Sequence, residues 1–361
     1  MPDKSLHITV LGGGNIGTQF ACISAAKGYD TTVFSSKPEA YDGTLELVDE
    51  FEHLTVGKIK KVTDNIGEAL EDCDIAFVAH PAFQLQKLAD AVLPYVHQNL
   101  IICVLPGTGG AEFAFHKCIQ AGAALCGLQR VPSVARLERY GKRVRAEGLR
   151  KHLYLASIPS GKGIIVSELL TELFGIPCSL LDNYLSVTLT PSNPILHTTR
   201  LRTLFADYTP GKTYERNPLF YGEWSLDSSE KLIACDEELQ EMCKLIPMDL
   251  TAVKSLKIHY ESNTAEEMTE KLGSIMSLHN LRSPMKQVEG GWIPDFQSRY
   301  FTADFPYGLA IIEELADLLG VEAPNIRDTM NWYRRVTGDF SRLDLKKIGI
   351  KSLDDLCRYY Y

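Results

Sequence analysis

The sequence predicts an α/β fold: a doubly wound parallel sheet over residues 1–190, then an all-helical domain over 191–361. Three observations carry this. Apolar runs alternate with helix-spaced segments through the first half, and the runs are continuous rather than two-periodic, as in parallel strands covered on both faces. Strand signals stop near Pro191 and helical spacing takes over. A length of 361 residues exceeds one ordinary core and suits two domains.

In the first domain, strands are expected over 6–11, 31–34, 74–78, 100–105, 152–157 and 178–181, with helices over 18–27, 83–95 and 163–174. In the second, helical spacing covers 194–204, 231–245, 265–272, 308–319 and 325–336. Gly320 is placed to end the fourth of these, because glycine enters the left-handed region freely. Segment 136–151 is locally basic, with Arg139, Lys142, Arg143, Arg145 and Arg150. Glu138 and Glu147 interrupt it, Gly141 and Gly148 suit turns, and it reads as a solvated hairpin.

Composition narrows the function. A net charge of −9 argues against nucleic acid as a partner. No run approaches the roughly 18 uninterrupted apolar residues of a membrane helix. The first residues lack a basic-then-apolar leader, so the expectation is a cytoplasmic protein without a membrane partner. The nine cysteines are scattered, with no C-x-x-C pair or Cys/His cluster, so neither a disulfide frame nor a metal site is expected. Cys22, Cys103 and Cys126 lie in apolar runs and read as small core residues.

The first strand ends in Val10-Leu-Gly12-Gly-Gly14-Asn15-Ile16-Gly17 and a helix follows. That context makes the segment a dinucleotide-binding turn of the Rossmann type. Gly12 makes the tight turn, Gly14 lets the backbone approach a pyrophosphate, and Gly17 lets helix and strand pack closely. The helix N-terminus then offers unpaired N–H groups to phosphate. After the second strand comes Ser35-Ser36-Lys37, where an NAD-specific domain usually carries Asp or Glu for the ribose hydroxyls. Hydroxyls and a lysine suit a 2′-phosphate, and Glu39 lies beyond Pro38, so NADP(H) is preferred and NAD(H) kept as the alternative.

Chemistry in the second half gathers at two segments, with the site expected in the cleft between the domains. Asn193-Pro-Ile-Leu-His197 sets Asn193 and His197 four apart, on one helix face. His197 stands out among nine histidines because it opens the first helix of the second domain. His80, after a strand of the first domain, is rated a supporting residue of the cofactor cleft. Arg299-Tyr-Phe-Thr-Ala-Asp304-Phe-Pro-Tyr-Gly308 sets an arginine and an aspartate ahead of another helix. An arginine fork binds carboxylates through paired hydrogen bonds, whereas Asp304 is equally readable as a helix cap. Arg216, Tyr221, Glu223 and Trp224 fall in a loop that either lines a pocket or covers the core.

These two segments, with Leu319-Gly-Val-Glu-Ala-Pro324, the Pro-Gly-Thr-Gly-Gly loop at 106–110 and Pro132-Ser-Val-Ala-Arg136, resemble the NAD/NADP octopine/nopaline dehydrogenase family, the opine dehydrogenases. The resemblance covers nearly the whole chain. It implies a 6-phosphogluconate-dehydrogenase-like architecture. It also implies a reductive condensation, in which the amino group of an amino acid and the carbonyl of a 2-oxo acid form an imine that NAD(P)H reduces. On the family pattern His197 is the general acid/base and Asp304 its partner. Arg299 binds a substrate carboxylate and Asn193 positions the reacting group. Departures are Ala303, where relatives often carry Glu, and Ser133, where they often carry an aromatic; both bear on the amino donor. The partners implied are these small molecules, with a homodimer left open. The alternatives are a 2-oxo acid or ketopantoate-type reductase, which would be expected to carry a lysine on the junction helix, and a dinucleotide sensor without turnover.

Overall fold

The computed structural model describes residues 4–341 and 343–361. They form two compact units, residues 4–188 with Tyr360–Tyr361, and Leu189–Tyr359.

The strands of the first unit are β1 (His7–Leu11), β2 (Asp30–Phe34), β3 (Thr44–Asp49), β4 (Leu54–Lys58), β5 (Lys61–Thr63), β6 (Ile75–Val78), β7 (Ile101–Val104), β8 (Ala124–Leu128), β9 (Val134–Arg139), β10 (Arg143–Glu147), β11 (Leu153–Ile158) and β12 (Cys178–Leu180). Eight make one sheet in the order β12-β11-β8-β7-β6-β1-β2-β5, and four make a second in the order β4-β3-β10-β9. The larger sheet is parallel except where β11 meets β8. Its central strands are buried along their whole length, which is why they read as unbroken apolar runs. The principal helices are α1 (Asn15–Ala26), α2 (Ala82–Val92) and α3 (Ile164–Phe174). Phe20 of α1 packs edge-on to Phe77 of β6 with centroids 5.0 Å apart, and meets Phe174 of α3 at the same distance. The helix expected over 83–95 stops at Val92, and Leu93–Tyr95 tightens into a 3₁₀ turn because Pro94 has no N–H to continue it.

The register of β1 decides where a site forms. Leu11 lies opposite Phe34 on one side and Val78 on the other, so strand order reverses at β1. The chain leaving these strands therefore emerges together: Gly12 donates its N–H to Phe34 (3.0 Å), and Ala79 donates to Leu11 (3.0 Å). In open α/β sheets ligands bind at this reversal. The small sheet was legible only as the β9–β10 hairpin. Its other strands were not, since Leu54 and Val56 of β4 are exposed and β3 pairs with a distant partner, Glu46 opposite Arg143.

The second unit is helical, with α4 (Leu196–Leu204), α5 (Leu226–Leu245), α6 (Ala265–Gly273), α7 (Ala310–Leu319) and α8 (Pro324–Thr337) as its longer helices. A two-stranded hairpin, β13 (Met285–Val288) with β14 (Gly291–Pro294), lies among them. Gly320 ends α7 at φ +66°, donating to Asp317, while Val321 donates to Ala316. Among the described residues no helix is long and apolar enough to cross a membrane.

One buried acid in the first unit makes stability depend on pH. Glu112 is fully buried and accepts hydrogen bonds from the hydroxyls of Thr188 and Tyr360. Burial pushes its carboxyl up to about 7 from the ordinary 4.5. An acid with a raised folded pKa favours the fold below the unfolded value, and that contribution is lost as pH climbs through the folded one. Denaturant titrations at about pH 5 and about pH 8 should thus show Glu112→Gln losing less stability with rising pH than the wild type. Equal losses would contradict this account.

Candidate active site

The glycine turn has the geometry its sequence implies. Gly12 sits at φ +115°, where a side chain would be strained, and a Cβ there would lie 2.9 Å from the Ala79 carbonyl oxygen. A Cβ on Gly17 would fall 1.7 Å from the Gly12 carbonyl oxygen, so only hydrogen allows α1 to pass this close to β1. Gly14 is the opposite case: nothing lies within 4 Å of the position its Cβ would take. It precedes α1 in extended conformation and supplies no side-chain cap, so it makes no side-chain bond to the first N–H groups of α1. A dinucleotide pyrophosphate fits this arrangement. Ile16 follows in the first turn of α1, and Asn15 accepts the Leu137 N–H through its side-chain oxygen at 2.9 Å.

Two neighbouring segments border the turn. Ser35 is buried, accepts the Lys37 N–H (3.1 Å) and pairs with the Tyr140 hydroxyl (2.8 Å); Ser36 and Lys37 are exposed. His80 pairs through Nδ1 with Gln84 Oε1 at 2.8 Å, and its Nε2, near Gly12, is buried without a hydrogen-bond partner among the described residues. A cavity of about 460 Å³ in this unit, lined by Gln19, Leu47, Ser133 and Phe174 among others, contains none of the candidate residues.

The second unit brings His197 and Asp304 together. His197 Nδ1 lies 2.8 Å from Asp304 Oδ2, and its Nε2 lies 3.1 Å from the Tyr221 hydroxyl. The ring rests edge-on against Tyr300, with centroids 4.7 Å apart, and against Phe220. His197 sits in the first turn of α4, where its N–H donates to the Asn193 carbonyl (3.1 Å). Asn193 itself precedes the helix and is exposed. Asp304 stands at the head of the wide turn Phe305–Leu309, whose Leu309 N–H reaches back to the Asp304 carbonyl at 2.9 Å. Such five-residue turns recur at functional sites.

A carboxylate only accepts hydrogen bonds, so Asp304 fixes the Nδ1-protonated tautomer of a neutral His197 and leaves Nε2 as the acceptor. Burial, seconded by the neighbouring Tyr260, Tyr300 and Asp304, pushes the Tyr221 phenol up. Tyr221 therefore keeps its proton and donates it to Nε2. This is a histidine with its orientation fixed on both nitrogens, suited to taking up and returning a proton.

Arg200 holds the loop that carries Tyr221, a role sequence reasoning missed. One turn beyond His197, its guanidinium donates to the carbonyls of Phe220 (3.1 Å) and Glu223 (2.6 Å) and to the hydroxyls of Ser225 and Ser228 (3.0 Å each). Burial pulls its pKa down to about 10. The loop alternatives resolve residue by residue. Tyr221 reaches His197; Trp224 is buried, stacks on Tyr221 and bonds Ser229; Arg216 pairs with Glu223. That pairing holds the Glu223 carboxyl down at about 2. Arg299 is exposed in the short helix Arg299–Thr302, and its guanidinium has no ion pair among the described residues.

Comparison with known proteins gives two family matches. Residues 180–337 match the model described as NAD/NADP octopine/nopaline dehydrogenase, alpha-helical domain. Residues 8–152 match the one described as Ketopantoate reductase PanE/ApbA. The chain is 25% identical to octopine dehydrogenase of Mizuhopecten yessoensis, over 94% of this chain and 92% of that one. It is 26% identical to opine dehydrogenase of Haliotis discus hannai, over 93% and 91% respectively. A solved structure of octopine dehydrogenase in complex with NADH and agmatine aligns with a TM-score of 0.86 at 22% identity, covering 98% of each chain, a likeness of fold.

The glycine geometry predicts opposite failures for two substitutions. Gly17→Ala should cost about 1–3 kcal/mol of stability through overpacking, read from denaturant unfolding. Gly14→Ala should unfold like the wild type and lose dinucleotide affinity in a fluorescence titration. Gly14→Ala binding as tightly as the wild type would remove the turn from the binding site.

Proposed function

As the chain belongs to the NAD/NADP octopine/nopaline dehydrogenase family and is an NAD(P)-dependent oxidoreductase of the opine dehydrogenase type, we propose that it joins the amino group of an amino acid to a 2-oxo acid such as pyruvate. The amine attacks the carbonyl carbon, water leaves, and the resulting imine is reduced to a secondary amine carrying two carboxylates. The observation that carries the site assignment is His197 held between Asp304 and Tyr221.

Each residue has a physical task in this reading. An amino acid arrives as an ammonium, which has no lone pair to attack with. His197 Nε2 takes that proton, Asp304 steadies the imidazolium through Nδ1, and Nε2 later gives the proton up to the reacting group. Tyr221 holds Nε2 in line until substrate replaces it. Arg299, exposed and without an ion pair among the described residues, receives a substrate carboxylate on its planar fork. Asn193, at the start of the same segment as His197, positions the reacting group. The turn Gly12–Gly17, with Asn15 and Ile16, would hold the dinucleotide in the first unit, and when bound its reduced nicotinamide supplies the hydride.

Within the NAD/NADP family we assign a preference for NADP(H). The support is that β2 leads into Ser35, Ser36 and Lys37, with no carboxylate among them to repel a 2′-phosphate. The same reading sets the enzyme in the cytoplasm, where its free cysteines stay reduced. Simple 2-oxo acid reduction is the second reading, favoured by the match of residues 8–152 to ketopantoate reductase. Against it, α4 carries no lysine.

The test is a two-substrate assay. With NADPH or NADH, pyruvate and a panel of amino acids, reduced cofactor should disappear only when both substrates are present. Consumption with the 2-oxo acid alone would favour the second reading. His197→Ala should lower turnover by at least about 100-fold while leaving cofactor affinity unchanged. Arg299→Ala should mainly raise the KM for the carboxylate substrates. An active His197→Ala enzyme would overturn the acid/base assignment.

A further inference from the structure

The basic hairpin has a tip that does more than face solvent. Gly141, at φ +68°, presses onto the Ala40 carbonyl: a Cβ on it would come within 2.4 Å of that oxygen. This contact lays Tyr140 and Tyr41 over the glycine turn. A Cβ on Gly13 would lie 2.0 Å from the Tyr41 hydroxyl and 3.0 Å from the Tyr140 hydroxyl, so glycine at this position makes room for both. The two rings meet edge-on with centroids 5.9 Å apart. The Tyr41 hydroxyl is buried beside Tyr140 and Ser35. Tyr140 bonds Ser35 at the end of β2, and Lys37 Nζ stands 5.9 Å from the Tyr140 ring centroid.

The end of β2 beside the glycine turn is where a Rossmann domain reads the adenosine ribose. Resting on the reading of this turn as a dinucleotide site, we propose that Tyr140 is a specificity residue that recognises the 2′-phosphate of NADP(H). Ser35 Oγ already accepts the Lys37 N–H, so its own proton is available to Tyr140 Oη. With Ser35 as the donor of this pair, the Tyr140 proton is available to an outside acceptor. A phosphate oxygen accepts it, and Lys37 adds the charge. The acids of this segment do not oppose an anion there equally. Asp42 is neutralised by Lys142 at 2.8 Å, and Glu39 is exposed in the turn Pro38–Ala40. Two of the hairpin arginines are committed elsewhere: Arg143 to Glu46, and Arg145 to Glu52 and Glu138. The charges of Arg143 and Arg145 are thus spent within the small sheet and its flanks, and at the tip a tyrosine hydroxyl contributes to recognition.

Tyr140→Phe keeps the ring and removes the hydroxyl. Titrating full-length wild type and variant with NADPH and NADH by fluorescence should raise the NADPH Kd about tenfold, as for loss of one hydrogen bond to a charged group, and the NADH Kd less than about twofold. Adenosine 2′,5′-bisphosphate should lose affinity by the same factor as NADPH, and 5′-AMP should not. Lys37→Ala should shift the pair in the same direction. Equal changes for both cofactors, or none, would overturn the inference while leaving the dinucleotide site standing. A wild type that binds neither cofactor would overturn both.

Discussion

Close packing of Gly308 on Pro194 is the constraint on which the His197–Asp304 pair depends. A Cβ on Gly308 would come 2.8 Å from Pro194 Cβ, so the absence of a side chain sets how near the two segments approach. Pro194 sits three residues before His197, and Gly308 four after Asp304. Their contact brings a histidine and an aspartate distant in the chain to 2.8 Å. The wide turn Phe305–Leu309 serves the same end, since Asp304 stands at its head without folding its side chain back as a cap. Proline, glycine and the two ionisable residues of these segments thus form one mechanical unit.

Around this unit the polar groups are paired in a way that costs desolvation and yields orientation. Arg200 is buried with its N–H groups spread over two carbonyls and two hydroxyls. A buried cation with partial partners would be destabilising, and a fully bonded one rigidifies what it touches. Here it holds the loop Phe220–Ser228, and so places Tyr221 on the far nitrogen of His197. Because α4 carries both His197 and Arg200, the histidine and the clamp on its second partner move as one body.

Much of this was legible in the sequence, for reasons that differ by residue. The glycine turn shows because each glycine answers a local backbone or packing demand, and β1 shows because burial on both faces leaves an apolar run. His197 and Asp304 were legible as motif positions, and their pairing came from resemblance, since no local rule joins residues so far apart. Asp304 as a simple cap was the competing reading, and its Oδ2 bond to His197 decides between them. Tyr221 was half visible, as one of four loop residues that could line a pocket or cover a core. Arg200 was invisible because its partners are carbonyls and serines rather than a patterned acid. Tyr140 was hidden inside a charge run whose bland reading as a hairpin was right for its strands, β9 and β10, and silent about what the tip touches.

The account stands or falls on the chemistry of the product. Reduced cofactor deuterated on nicotinamide C4, given with pyruvate and a reactive amino acid, provides the direct measurement. The product should be a single secondary amine whose mass equals both substrates less water plus one hydrogen and one deuterium, with the deuterium on the former carbonyl carbon. Deuterated lactate in place of that amine would contradict the condensation and assign the enzyme to plain 2-oxo acid reduction.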